Sequence, residues 1–160
     1  MDGVDRIIEQ WAAERPDLQT EPMAVFGRIY RLARVSGDAV EKAYAAHGIG
    51  RAEFDVLATL RRSGPPYELS PGALAGSMML SSGGTTARLD RLERAGLVVR
   101  VPSPTDRRSV LVRLTQRGRE IIDEAVAAGL AEQTRLLSHM APAQVRQLST
   151  LLRAALADRA

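Results

Sequence analysis

The spacing of apolar residues predicts helices at both ends of the chain. Residues 3–13, 115–138 and 142–157 each carry apolar side chains at intervals that place them on one helical face. Residues 20–47 predict a much longer helix. Its apolar stripe consists of Phe26, Ile29, Tyr30, Ala33, Val40 and Tyr44. Because that helix is longer than a small core needs, we interpret it as an oligomerisation helix; the alternative is a helix buried within its own chain.

The middle of the chain predicts shorter elements. Residues 51–63 form a helix that a Gly-Pro-Pro sequence ends. Ser70 is the expected N-cap of a short helix that starts with a proline, and Thr115 is the expected N-cap of the helix over residues 115–138. A further helix covers residues 82–95, with Leu89 and Leu92 pointing inward. The β-prone runs 97–101 and 109–114 then predict a hairpin around a turn that contains two prolines.

Together these elements predict a mainly α fold with a small β-hairpin wing. A helix pair joined by a tight turn and followed by a twisted hairpin is a winged helix-turn-helix. We expect a single domain over residues 1–160, in which residues 49–115 form the winged helix-turn-helix lobe. The segments 1–48 and 116–160 are expected to supply long N- and C-terminal dimerisation helices.

Positive charge is concentrated in one part of the sequence. The whole chain has a formal net charge of +3, but residues 81–119 alone hold nine arginines and three acids, a net charge of +6. A basic block of this kind is typical of a protein that binds a polyanion such as nucleic acid. The alternative is an ordinary solvated surface, since every basic residue except Lys42 is an arginine.

Composition excludes several other classes of protein. The chain has no cysteine, so disulfides, zinc–thiolate sites and thiol redox sensing are excluded, and we expect neither a metal nor a cofactor. The apolar runs are too short for a membrane span, and the first residues lack an apolar signal region, so we expect a cytoplasmic protein. Because no phosphate-binding glycine loop and no nucleophile elbow occurs, we do not expect an enzyme.

The helix predicted over residues 82–95 starts with small residues, as a helix that approaches DNA would. In a winged helix-turn-helix, the second helix of the pair enters the major groove with its N-terminal end first. Hydroxyl groups and free backbone N–H groups at a helix start bind phosphate, and arginine binds guanine or phosphate. The candidate DNA-binding residues of the helix pair are Ser70, Ser81, Ser82, Gly84, Thr85, Thr86, Arg88 and Arg91. Gly84 lowers helix propensity, which a close approach of the backbone to DNA would explain; a loose N-cap is the alternative.

The hairpin tip carries three further candidates for DNA binding, Asp106, Arg107 and Arg108. A narrow minor groove attracts arginine through its negative potential. An acid two residues before Arg108 can orient that arginine by a charge-assisted hydrogen bond. The alternative is a surface ion pair of little energy.

The hairpin and the residues after it resemble the wing of the MarR family of transcriptional regulators. That wing has the pattern Asp-X-Arg, several β residues, Leu-Thr, two residues and Gly. Asp106, Arg108, Leu114, Thr115 and Gly118 fill the pattern here, and ARLDRLERAGLV resembles the end of the family's recognition helix. The resemblance implies a homodimer on a palindromic double-stranded DNA operator, with half-sites roughly 34–36 Å apart, and ligand-relieved repression of its own and neighbouring genes. A dimer that has lost DNA binding is a remote alternative, which the basic block argues against.

Four residues also resemble the signature of a urate-responsive subgroup of that family. The subgroup has an N-terminal helix with a Trp, an Asp followed by Val-Leu, an Arg in the recognition helix and an Arg in the first wing strand. Trp11, Asp55, Arg88 and Arg100 occupy these positions here. The resemblance implies a planar anionic ligand, such as urate or a related purine, held by guanidinium groups and an aromatic wall. The alternatives are a phenolic compound, another organic acid or an antibiotic as the ligand, or no ligand, with Trp11 as a core or interface anchor.

Overall fold

The computed structural model of the protein describes residues 1–78, 84–104 and 109–157. The helices of these residues are α1 Gly3–Glu14, α2 Glu21–Ala45, α3 Arg51–Arg62, α4 Pro71–Ser77, α5 Thr85–Arg94, α6 Gln116–Leu137 and α7 Pro142–Leu156. The strands are β1 Glu68–Leu69, β2 Val98–Pro102 and β3 Val110–Leu114. The prediction of a mainly α chain with a small hairpin is therefore confirmed. None of the described helices is both long enough and apolar enough to cross a membrane.

The chain divides into two compact units, Met1–Ala39 and Val40–Ala160, and the boundary falls within α2. In the second unit, helices and sheet enclose an apolar core. Its completely buried members include Val56, Leu57, Leu60, Leu74, Val112 and Ile122. On α5, Leu89 and Leu92 are 2% and 1% exposed, which confirms the prediction that both point inward. The helix that carries most of the candidate DNA-binding residues is therefore anchored by its apolar face.

In the first unit, α1 is fastened to the part of α2 that lies in the same unit. The carboxylate of Asp2 accepts the backbone N–H of Val4 at 2.7 Å, and the carboxylate of Asp5 accepts the N–H of Asp2 at 2.7 Å. Arg28 of α2 donates to both carboxylates, at 3.0 Å to Asp2 and 2.5 Å to Asp5. Val4 is buried against Gly27, where a Cβ would come within 2.9 Å of its side chain. Two aspartates thus both cap α1 and hold it by charge.

A third strand, β1, joins the predicted hairpin. The antiparallel sheet has the order β1-β3-β2, so β3 is central and β2 is an edge strand. Glu68 of β1 lies opposite Arg113 of β3, and the Arg113 Nε donates to the Glu68 Oε2 at 2.6 Å. The sequence did not predict β1, because a strand of two residues is too short to show an alternation of apolar and polar positions.

The register of the hairpin assigns Arg100 to the core-facing side of β2. Val98 lies opposite Leu114, and Arg100 lies opposite Val112. Residues opposite one another in an antiparallel pair share a face of the sheet. Val98, Val112 and Leu114 are all buried, so Arg100 is a charged member of an otherwise apolar row. A charged group in such a position requires charged or hydrogen-bonding partners.

The junction of the wing with α6 explains the Leu-Thr-X-X-Gly part of the wing pattern. The hydroxyl of Thr115 accepts the N–H of Gly118 at 3.0 Å and caps α6, as predicted, and it donates to the carbonyl of Gly96 at 2.8 Å. A Cβ on Gly118 would lie 2.1 Å from the carbonyl oxygen of Leu97. The threonine therefore ends the strand and starts the helix, and the glycine allows the first turn of that helix to contact the backbone before β2.

Candidate nucleic-acid interface

Ser70 begins the helix pair as the sequence predicts. Its hydroxyl accepts the N–H of Ala73 at 3.2 Å and so caps α4. Arg62 of α3 donates to the carbonyl of Ser77 at the other end of α4, and Leu74 between them is completely buried. Both ends of α4 and its apolar face are therefore fixed. A DNA contact by Ser70 stays a prediction.

The second helix of the pair begins later than predicted. α5 starts at Thr85, and Gly84 before it has a φ of 73°. The prediction that this helix already includes Gly84 is therefore wrong. Positive φ is a conformation that glycine adopts without steric cost. A Cβ on Gly84 would meet nothing within 4 Å among the described residues, so within the chain the positive φ accounts for this glycine. A close approach of its backbone to DNA stays a prediction.

The N-cap residue of α5, Gly84, makes no side-chain capping hydrogen bond. The first backbone N–H groups of a helix have no partner within that helix, and a helix start can therefore bind a phosphate oxygen. Thr86 is exposed and Thr85 is half-buried at this end. The described part of the first turn thus has the small side chains that the predicted role requires.

Arg91 forms an ion pair with α3. Its Nη2 and Nε lie 2.8 Å and 3.1 Å from the Oε1 of Glu53. Partial burial acts to raise the pKa of Glu53, but the hydrogen bond from Arg91 and backbone N–H groups outweigh it, so the net pKa lies below its ordinary value. Glu53 is therefore charged at neutral pH and holds Arg91. Arg88 is half-buried and is also engaged in an interaction within the chain.

Arg100 of β2 is held by two carboxylates of α5. Its Nη2 donates to the Oδ1 of Asp90 at 2.6 Å, and its Nη1 donates to the Oε2 of Glu93. The Oε1 of Glu93 also accepts the backbone N–H of Arg100 at 3.1 Å. The hydrogen bond to Asp90 and the charge of Glu93 raise the pKa of Arg100 above its ordinary value, against a smaller lowering by desolvation. We call these three residues the Arg100 cluster.

The hairpin ladder extends from β2 and β3 to Ser103, whose N–H donates to the carbonyl of Ser109 at 3.0 Å. Some candidate DNA-binding residues lie outside the described residues. They are Ser81, Ser82, Asp106, Arg107 and Arg108. Their roles stay predictions from the sequence.

The four residues of the ligand signature lie on four elements. Trp11 is on α1 in the first unit and is 43% exposed. In the second unit, Asp55 on α3 is 4% exposed, Arg88 is on α5 and Arg100 is on β2. α5 packs against both α3 and β2, so these three residues lie on adjoining elements. Asp55 has an interaction partner within the chain, as a carboxylate this deeply buried requires. No group of side chains in the described segments could hold a metal ion.

Comparisons with known proteins agree with this architecture. A model of the MarR family matches residues 47–109. The transcriptional regulator PecS of Dickeya dadantii is 39% identical over 149 residues, which cover 93% of this chain and 90% of that protein. The multiple antibiotic resistance protein MarR of Escherichia coli is 32% identical over 99 residues, 61% of this chain and 67% of that protein.

The fold also has solved counterparts. A crystal structure of a mutant E. coli MarR complexed with operator DNA matches with a TM-score of 0.73 at 27% identity, and covers 86% of this chain and 96% of that chain. A putative MarR-like regulator from Bacillus cereus has a TM-score of 0.77 at 21% identity, over 89% of this chain and all of that chain. The predicted winged helix-turn-helix is thereby confirmed.

The sequence did not predict the three acids that hold Arg91 and Arg100. These acids are Glu53, Asp90 and Glu93. Glu53 is 38 residues from Arg91, so nothing local connects them. A signal did exist for the Arg100 cluster. Strand alternation places Arg100 in the core-facing row, and a charge there requires acidic partners on the helix that packs against it.

Proposed function

This chain belongs to the MarR family of transcriptional regulators, and we propose that it represses its own and neighbouring genes as a homodimer on a palindromic operator. It is a DNA-binding regulator like its relatives, and not an enzyme. The observation that carries the proposal is the first turn of α5. Its N-cap is Gly84, which has no side chain to form a capping bond, and its apolar face is held on the core by Leu89 and Leu92. We infer that this turn enters the major groove.

The remaining contacts follow from that placement. The wing tip enters the adjacent minor groove, where an arginine is favoured by the negative potential. The proposed DNA contacts are Ser70, Ser81, Ser82, Gly84, Thr85, Thr86, Arg88, Asp106, Arg107 and Arg108. Arg91 is also a candidate from the sequence, but its guanidinium is paired with Glu53. We expect the protein to act in the cytoplasm, which is consistent with a DNA-binding regulator.

We further propose that a small organic anion releases the protein from DNA, with urate or a related purine as the first compound to test. Arg88 and Arg100 supply guanidinium groups on α5 and β2, the elements whose arrangement determines the fit to DNA. An anion that binds Arg100 competes with Asp90 and Glu93 for the same guanidinium. Such competition gives the ligand a different affinity for the two arrangements of the lobe, which any allosteric effect requires.

A gel-shift titration tests the function directly. The probe is duplex DNA from upstream of the protein's own gene, with an unrelated duplex of equal length as the control. We expect tight, salt-dependent binding to the upstream duplex, because arginines displace phosphate counterions. Urate or xanthine should reverse the shift, while reversal by salicylate alone would favour a phenolic or organic-acid ligand. Affinity that is equal for both duplexes, or that does not change with salt, would contradict the proposal.

The Arg88→Ala variant tests the link between ligand and DNA. We expect it to bind the upstream duplex more weakly by about tenfold and to lose the response to urate, because one guanidinium serves both functions. Arg146→Ala, which removes an exposed arginine from α7, is the matched control and should change neither measurement. If Arg88→Ala keeps a normal ligand response, Arg88 has no part in the ligand site.

A further inference from the structure

The C-terminal half of α5 is tied to its neighbours by charge on two sides. Arg91 pairs with Glu53 of α3, and Asp90 and Glu93 both bind Arg100 of β2. Arg94, the fourth charged residue of positions 90–94, donates to the carbonyl of Asp90 within the helix. Three of these four charged side chains therefore bind other elements of the same lobe, and the first turn, with Gly84 as its N-cap, lies at the opposite end of the helix.

The Arg100 cluster is more than an isolated surface ion pair. The Arg100 side chain is 33% exposed and lies in the core-facing row of β2. Glu93 bonds both the guanidinium and the backbone N–H of Arg100, on a strand that is at the edge of the sheet in the described residues. Ion pairs gain significance where several charges form a network with fixed geometry. This cluster therefore connects α5 directly to the first strand of the hairpin, β2.

We propose that Arg91 and Arg100 are positioning residues, which orient α5 for its operator through Glu53, Asp90 and Glu93 and do not contact phosphate themselves. The proposal rests on the proposed entry of α5 into the major groove. The two ties connect the helix to different elements, α3 and β2. A correct orientation is needed for base contacts and matters much less for attraction to the phosphate backbone. Specific binding should therefore depend on the ties more than non-specific binding does.

Neutralising the acids separates this role from a phosphate contact, because the two roles predict opposite signs. If Arg91 or Arg100 bound phosphate, removing its carboxylate partner would free the arginine and remove a negative charge, so DNA affinity would rise. If the arginine positions the helix, the same change loosens α5 and the operator affinity falls. Long-range electrostatics alone predicts a rise, so a fall has to come from the geometry of the helix.

The variants are Asp90→Asn, Glu93→Gln and Glu53→Gln, measured against the upstream duplex and an unrelated duplex. We expect each to weaken operator binding by about threefold per half-site, and so about tenfold for a dimer on a palindrome, as exposed to half-buried ion pairs allow. Affinity for unrelated DNA should be unchanged or slightly higher. Glu120→Gln removes the same charge from an exposed position on α6, where Glu120 accepts a hydrogen bond from Gln116 of its own helix. This control should not weaken operator binding.

Three further measurements distinguish a positioning role from a loss of folding or of a phosphate contact. Circular dichroism should show a folded protein for every variant, and the salt dependence of log affinity should keep its slope, because no phosphate contact is lost. The charge exchange Glu53→Arg with Arg91→Glu should recover most of the operator affinity that Arg91→Glu loses, since it restores the pair in the opposite sense.

The positioning role is overturned if the neutral variants bind the operator as tightly as the wild type or more tightly. It is also overturned if specific and non-specific affinity fall together, or if the charge exchange recovers nothing. Failure of the wild-type protein to prefer its upstream duplex is a different result, since it contradicts the proposed function before any variant is compared.

Discussion

At the scale of single residues, the space around Gly118 shows how closely the wing and α6 are joined. The position has no side chain because the carbonyl oxygen of Leu97 occupies the place where a Cβ would lie, at 2.1 Å. The neighbouring Thr115 bonds the same stretch of backbone from the other side, through the carbonyls of Gly96 and Leu97. The cap by Thr115 and the absence of a side chain at Gly118 therefore together determine where α6 begins.

We expect Gly118→Ala to destabilise the protein by about 1–3 kcal/mol, because backbone must move to admit the methyl group. The free energy of unfolding from a urea titration is the measurement. Gly76→Ala is the matched control, since a Cβ at that helical position meets nothing within 4 Å and should leave the stability equal or higher. Equal stability of the two variants would show that the contact with Leu97 is not close in solution.

At the scale of elements, α1 depends on two carboxylates more than on its apolar face. Only Val4 of this helix is buried, while Ile7 and Trp11 are 49% and 43% exposed. Asp2 caps the helix and shares Arg28 with Asp5. The hydrogen bond from the N–H of Val4 lowers the pKa of Asp2 below its ordinary value of 3.8. The cap is therefore fully present above pH 3.8 and is lost as the pH falls through the lowered pKa.

We expect Asp2→Ala to increase the rate of amide hydrogen exchange across residues 3–14 at pH 7, because both the cap and one partner of Arg28 are removed. Asp2→Asn keeps a capping side chain without the charge and should exchange at an intermediate rate. Mass spectrometry of the peptides from this segment gives the comparison. If the amides of residues 3–14 exchange in Asp2→Ala as slowly as in the wild type, α1 does not depend on its cap.

Most of the helices could be predicted from the sequence, because apolar periodicity and capping residues are local signals. Ser70 and Thr115 were both identified as N-caps and both accept the expected N–H. The start of α5 was placed too early, since the sequence does not show that Gly84 adopts positive φ. The ties of Arg91 and Arg100 were missed for another reason. Each ion pair depends on which elements meet in three dimensions, and the sequence does not show that. In a basic block, an arginine that binds an acid of its own chain cannot be told from one that binds DNA.

At the scale of the whole molecule, several helices expose large apolar side chains that a single copy of the chain leaves in water. On α2, Val25, Phe26 and Tyr30 are 55%, 48% and 70% exposed. On α7, Leu151 and Leu156 are 61% and 64% exposed. These helices belong to the N- and C-terminal segments that the sequence assigned to dimerisation. Exposed apolar side chains concentrated on such segments are typical of a surface that a partner subunit covers.

We expect Leu151→Glu to raise the dimer dissociation constant by about 100-fold or more. A symmetric interface contains the residue twice, and burial of each leucine contributes about 1.5–3 kcal/mol. Val99→Glu is the matched control, because Val99 is 40% exposed on the outer face of β2, in the lobe assigned to DNA binding and not to dimerisation. Sedimentation equilibrium of the two variants should give a monomer for the first and a dimer for the second.

Because a palindromic operator is bound by two linked copies, Leu151→Glu should also weaken binding to the full operator far more than binding to a single half-site. A wild-type monomer, or a Leu151→Glu dimer as stable as the wild type, would exclude α7 from the interface and leave its exposed leucines without this explanation.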